Sequence, residues 1–178
     1  VIVNFHHYSE LNEAANNSDK DPAAYEAEKA HFFALWEQVA EEMNAFPDSL
    51  LVLELLNEPT VKSVDHLNEI TLGAYEIVRK KAPNKTIMIE SYHAGKFADI
   101  DVLRLPQDGN IIFSGHYYEP FTFSHEGHGY NCVGDESYVT NFPIIYFSIP
   151  SRLILNDSRN PISESRLFII KVVSEARI

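Results

Sequence analysis

The stretch LLVLELLNEPT, Leu50 to Thr60, decides how this chain is read. Its first seven residues are aliphatic except Glu54, the composition of a strand covered on both faces. It then ends on an amide, a carboxylate and a proline, Asn57-Glu58-Pro59. Pro59 has no backbone N–H to give to a ladder and so stops the strand. Side chains alternate along a strand, so an inward-facing Glu58 would put Leu56 and Glu54 on its side. A carboxyl at the rim of apolar walls can have its pKa raised far enough to work as a general acid. A solvated glutamate capping the next helix is the alternative. Asn57 beside it can both donate to and accept from a hydroxyl-rich ligand.

Working outward, Val1 to Phe5 is a short β-rich run, and residues 9 to 21 are polar enough to read as a loop. Asp21 then Pro22 is a helix cap followed by proline in the first turn. From there to about Asn44, Phe32, Leu35, Trp36, Val39 and Met43 recur at helical spacing. Ser63 to Lys81 is a second amphipathic helix, and Thr86 to Ile89 a third strand. A short helical or irregular piece is expected around Phe97 to Leu105, and Ile111 to Phe113 opens a fourth strand. Strands alternating with helices predict parallel pairing with right-handed crossovers. A doubly wound sheet and a (β/α)8 barrel both fit, but no Gly-x-Gly-x-x-Gly follows any strand. Polar residues crowd the strand ends instead: His6-His7, Asn57-Glu58, Glu90-Ser91-Tyr92 and His116-Tyr117-Tyr118. A barrel mouth collects strand-end residues in this way.

The 178 residues are enough for one domain of ordinary size. A net charge of −12 argues against nucleic acid or an anionic membrane as a partner. The single cysteine, Cys132, excludes an internal disulfide framework and a thiolate metal site. His6, His93 and His116 all stand near strand ends, yet adjacent His6 and His7 point opposite ways and no helical His-x-x-x-His exists, so no metal is expected. VIVNFHHY enters a strand at once and reads as cut from something longer. Residues 141–178 differ in character: every glycine and histidine lies before them, and they carry five basic against three acidic residues. FPIIYFSIP and LFIIKVV show no helix partner there. The expectation is an unassigned tail, such as a frameshift or retained intron would leave, after a first region of residues 1–140.

ELLNEP, preceded by VIVNFHHY and followed by GHYYEPFTFSHEG, resembles glycoside hydrolase family 5, the cellulase family of clan A barrels. The resemblance covers roughly residues 1 to 130. It implies a fragment of a (β/α)8 TIM barrel spanning the third to sixth βα units. It further implies a retaining hydrolase of polysaccharide, in which one carboxylic acid protonates the glycosidic oxygen while a carboxylate about 5 Å away attacks the anomeric carbon. By resemblance Glu58 is the general acid/base, Asn57 meets the sugar's 2-hydroxyl, and His6 lines the subsite of cleavage. His116 contacts substrate, and Tyr118 orients the nucleophile. The expected substrate is β-1,4-glucan, with mannan and β-1,3-glucan as alternatives, and no cofactor is implied.

The nucleophile belongs to a seventh strand that this chain does not recognisably carry. Nor does it carry the family's second-strand arginine and eighth-strand tryptophan. Glu90, Glu119 and Glu126 are weak substitutes for the nucleophile. The chain alone is therefore expected to be inactive, binding sugars weakly at most. Glu54, lacking the arginine, is expected to be a buried carboxylate without a partner, which would destabilise the fragment. Asn-x-Ser/Thr sites at Asn16, Asn84 and Asn156 are compatible with an extracellular parent enzyme.

Overall fold

The computed structural model describes residues 1–117 and, as backbone, the strand 168–171. Residues 1–116 and 165–171 form one compact unit. Its elements run β1 (Ile2–Asn4), α1 (Ser9–Asn16), α2 (Pro22–Asn44), β2 (Val52–Glu54), α3 (Val64–Lys81), β3 (Thr86–Glu90), β4 (Ile111–His116) and β5 (Phe168–Lys171). The five strands are all parallel and lie in chain order, β1-β2-β3-β4-β5. A doubly wound sheet reverses its order at a switch point. This one does not, and uninterrupted winding is how a barrel wall is built.

Helices α2 and α3 start where their caps dictate. Asp21 accepts from the Ala24 N–H with Pro22 in the first turn, and Ser63 accepts from the His66 N–H. Arg79, Lys80 and Lys81 occupy the last turn of α3, the favourable end for positive charge. Three boundaries depart from expectation. Residues 9–16, expected as loop, are helical, because Leu11 and Ala15 bury one turn apart on an otherwise polar segment. The strand expected over Leu50 to Leu56 narrows to Val52–Glu54, since Asp48–Leu50 forms a 3₁₀ turn before it. The run LFIIKVV, with no visible helix partner, contains β5.

Strand register sorts the side chains onto two faces. Leu53, Ile87, Ile89, Ile111 and Phe113 join Phe32, Trp36, Leu67, Ile70 and Val78 in the helix-packed core. Trp36 is fully buried, and its indole N–H donates to the Leu55 carbonyl at 3.0 Å. The rings of Phe32 and Trp36 meet Phe5 edge-on at 5.4 and 5.1 Å. The opposite parity carries Asn4, Glu54, Met88, Glu90, Ile112, Ser114 and His116, a largely polar row. That row leads to the functional site.

Candidate active site

Glu58 does not sit on a strand. β2 ends at Glu54, and the chain runs on through Leu55 and Leu56 into Asn57-Glu58-Pro59, clamped from both sides. On the β1 side, the Asn57 N–H donates to the Phe5 carbonyl at 3.1 Å, and Asn57 Nδ2 donates to the His6 carbonyl at 3.3 Å. On the β3 side, the Glu58 N–H donates to Glu90 Oε2, and the Pro59 carbonyl accepts from the Ala94 N–H at 2.9 Å. Within this clamp Glu58 adopts φ +46°, a left-handed conformation that costs a non-glycine residue about 1–2 kcal/mol. Such strain persists only where the surroundings enforce it, and functional sites are where it collects.

The carboxyl of Glu58 is held as well. Its Oε1 lies 2.6 Å from Nδ1 of His116, the last residue of β4. The other ring nitrogen, Nε2, meets Glu90 Oε1 at 2.6 Å. That second contact is an ion pair when the ring is protonated. His116 thus bridges two carboxylates, with its side chain 4% exposed and that of Glu90 fully buried, while that of Glu58 remains 31% exposed. Burial by itself pushes the His116 imidazolium's pKa down. Hydrogen bonding and charge from Glu90, then from Glu58, outweigh it and leave the pKa above histidine's ordinary range.

Next to the accessible side of Glu58 opens a cleft of about 330 Å³, lined by His6, His7, Tyr8, Asn12, Asn57 and Glu58 among others. His6 and His7 are exposed, with ring centroids 4.5 Å apart and planes tilted by 60°. Asn57 is buried, lines the cleft, and gives one N–H of its side-chain amide to the His6 carbonyl. The structure therefore brings Glu58, His6 and Asn57 to one cleft, with His116 behind Glu58. Tyr118, Glu119 and Glu126 lie outside the described residues. His93 pairs instead with Asp99 at 2.8 Å on a turn of its own.

Two features were missed at the sequence level. Glu54 was expected to be unpaired, but Asn4 Nδ2 donates to its Oε2 at 2.6 Å from the neighbouring strand. Glu90 was weighed only as a substitute nucleophile. Its oxygens are instead committed to His116 and to the Glu58 main chain, and no exposed surface is left on its side chain for attack on a sugar. A signal for it existed: TIMIE, like LELLNE, is an apolar run that ends on glutamate.

The family model described as Cellulase (glycosyl hydrolase family 5) matches residues 1–145. Cellodextrinase A of Ruminococcus flavefaciens is 35% identical over 97 residues, covering 54% of this chain and 29% of that protein. Among solved structures, endoglucanase Cel5A of Thermotoga maritima superposes with a TM-score of 0.63 at 31% identity, covering 79% of this chain and 42% of the other. A cellulose synthase subunit of Clostridioides difficile superposes at 0.61 and 34% identity, covering 73% and 40%. The chain spans less than half the length of these relatives. Its sheet is accordingly part of a (β/α)8 barrel. The chain belongs to glycosyl hydrolase family 5, the cellulase family.

Proposed function

We propose that this chain carries the proton-donor half of a retaining endo-β-1,4-glucanase site, with Glu58 as the general acid/base. The observation that carries this reading is the conformation of Glu58. A strained residue is clamped between two strands, its carboxyl aimed at an imidazole and partly open to a cleft. In the first step the Glu58 carboxyl gives its proton to the glycosidic oxygen as a second carboxylate attacks the anomeric carbon. In the second step the Glu58 carboxylate takes a proton from the water that releases the sugar. His6 and Asn57 line the sugar cleft, and the role proposed for Tyr118, as the family resemblance implies, is to orient the nucleophile.

The attacking carboxylate is supplied by chain other than the strands described, because their strand-end carboxylates are Glu54 and Glu90, the first held by Asn4 and the second by His116 and the Glu58 main chain. The 178 residues alone then bind a glucan at most, with residues 1–140 as the catalytic part and the strand 168–171 added to their sheet beside β4. A β-glucan is the proposed substrate; the related Thermotoga maritima enzyme has been solved with cellobiose and with mannotriose, so manno-oligosaccharides belong in the same assay. The test uses the complete enzyme, meaning these residues together with the strand that bears the nucleophile. Glu58→Gln should lower turnover of phenyl β-cellobioside about 10²- to 10⁴-fold. It should spare kcat/KM on 2,4-dinitrophenyl β-cellobioside, whose leaving group needs no proton, while kcat on that substrate falls because the second step loses its base. Equal turnover of the phenyl glycoside by variant and wild type would refute the assignment.

A further inference from the structure

Glu90 touches the proton-donor site at two independent points. Its Oε2 accepts the Glu58 backbone N–H, and its Oε1 faces His116 Nε2 at 2.6 Å. The ring's other nitrogen is 2.6 Å from the Glu58 carboxyl. Main chain and side chain of Glu58 therefore both lead back to one fully buried carboxylate. The local fold is shaped around it. Immediately after Glu90 the chain makes a left-handed turn, with φ +51° at His93, +57° at Ala94 and +78° at Gly95. A Cβ on Gly95 would lie 2.9 Å from Glu90 Oε1. The same turn supplies the Ala94 N–H to Pro59, the residue after Glu58. A buried carboxylate is costly to keep, and one that faces two donors offsets that cost through both.

We propose that Glu90 is the positioning residue of the proton donor, fixing the Glu58 backbone with one oxygen and, through the His116 ring, the Glu58 carboxyl with the other. This rests on the reading of Glu58 as the acid. Glutamine cannot replace Glu90, because it offers one acceptor oxygen and would turn an NH₂ toward the second donor. Aspartate keeps both oxygens on a shorter stem and so restores part of the arrangement. Among the described residues, Glu58 and Glu90 are ionisable groups facing the ring, and Lys171 of β5 is the register partner of His116.

The deciding measurement is an NMR titration of His116 in the 178-residue chain, assigned with His116→Asn. In the wild type the midpoint should stand above that of an ordinary histidine. Glu90→Gln should lower it by more than Glu58→Gln does, and Glu90→Asp should fall between. The Glu58 amide proton should move upfield in Glu90→Gln as its carboxylate acceptor is lost. A wild-type midpoint at or below the ordinary value would overturn the proposal without any variant, as would an unmoved Glu58 amide in folded Glu90→Gln. In the complete enzyme, Glu90→Gln should lower kcat on phenyl β-cellobioside about 10²-fold with KM nearly unchanged. If Glu58→Gln leaves that turnover intact, the acid reading itself has failed. If Glu58→Gln abolishes it and Glu90→Gln does not, only the positioning role has failed.

Discussion

Asn4 and Glu54 are register partners on adjacent parallel strands, and the Asn4 amide donates to the Glu54 carboxylate at 2.6 Å. The buried acid in the middle of LLVLELLNEPT is thus met from within the described sheet. Replacing Asn4 with leucine should cost about 1–3 kcal/mol, the desolvation penalty of a buried acceptor that loses its donor. Urea unfolding followed by the fluorescence of Trp36, the sole tryptophan, measures it. In a double-mutant cycle with Glu54→Met the two losses should be strongly non-additive. Simple additivity would mean that the hydrogen bond does not support Glu54.

Stability should also depend on pH through His116. Its folded pKa is raised above the ordinary 6.5, with burial opposing and the two carboxylates prevailing. The imidazolium is therefore favoured in the folded chain. Its contribution is complete below pH 6.5 and is lost as pH climbs through the raised folded value. The urea midpoint should fall across that window in the wild type and stay flat there in His116→Gln. An equal fall in both would place the titration elsewhere.

At the acid end the sign reverses. Burial pushes the Asp108 carboxyl up, but the Asn110 N–H, the Tyr75 hydroxyl and Arg79 together hold it below the usual 3.8. Arg79 lies 2.7 Å from Asp108 and also donates to the carbonyls of Pro83, Lys85 and Asn110, tying the end of α3 to the starts of β3 and β4. The stability from Asp108 is present above pH 3.8 and lost as pH falls through the lowered value. Asp108→Ala should cost about 1–3 kcal/mol at neutral pH and flatten the acid limb of the stability profile.

Gly95→Ala tests the turn behind the site. The position combines φ +78° with a Cβ 2.9 Å from Glu90 Oε1. Alanine there should cost about 1–2 kcal/mol for the left-handed backbone alone. The displaced Glu90 should also let the His116 midpoint drop. Gly73→Ala, whose Cβ would meet the ring of Phe33 on α2, should cost stability without moving that midpoint. An unchanged His116 midpoint in Gly95→Ala would separate the turn from the site.

The sequence carried the winding of the sheet, because continuous apolar strands and capped amphipathic helices each leave a local mark. Asp21-Pro22 and Ser63 start their helices as read. Helix α1 escaped because two buried residues, Leu11 and Ala15, are too few to show a period among eight. Glu58 was legible as a strand-end carboxylate, but its alternation with Glu54 was not real. The chain leaves the ladder after Glu54 and reaches Glu58 through irregular backbone. Glu90 was visible at the end of TIMIE, while its role depends on a left-handed turn three residues later, and periodicity does not encode handedness. β5 could be read only as an apolar run, since its pairing with β4 is set by contacts remote in the chain.

The most direct measurement is turnover of phenyl and 2,4-dinitrophenyl β-cellobioside by wild type and Glu58→Gln, in the 178-residue chain and in the complete enzyme. The account predicts that the complete enzyme cleaves both and that Glu58→Gln loses about 10²- to 10⁴-fold in kcat/KM on the phenyl glycoside alone. It predicts no Glu58-dependent turnover from the 178 residues by themselves. Undiminished cleavage of the phenyl glycoside by Glu58→Gln would contradict Glu58 as the proton donor, and Glu58-dependent hydrolysis by the 178 residues alone would contradict a nucleophile supplied from elsewhere.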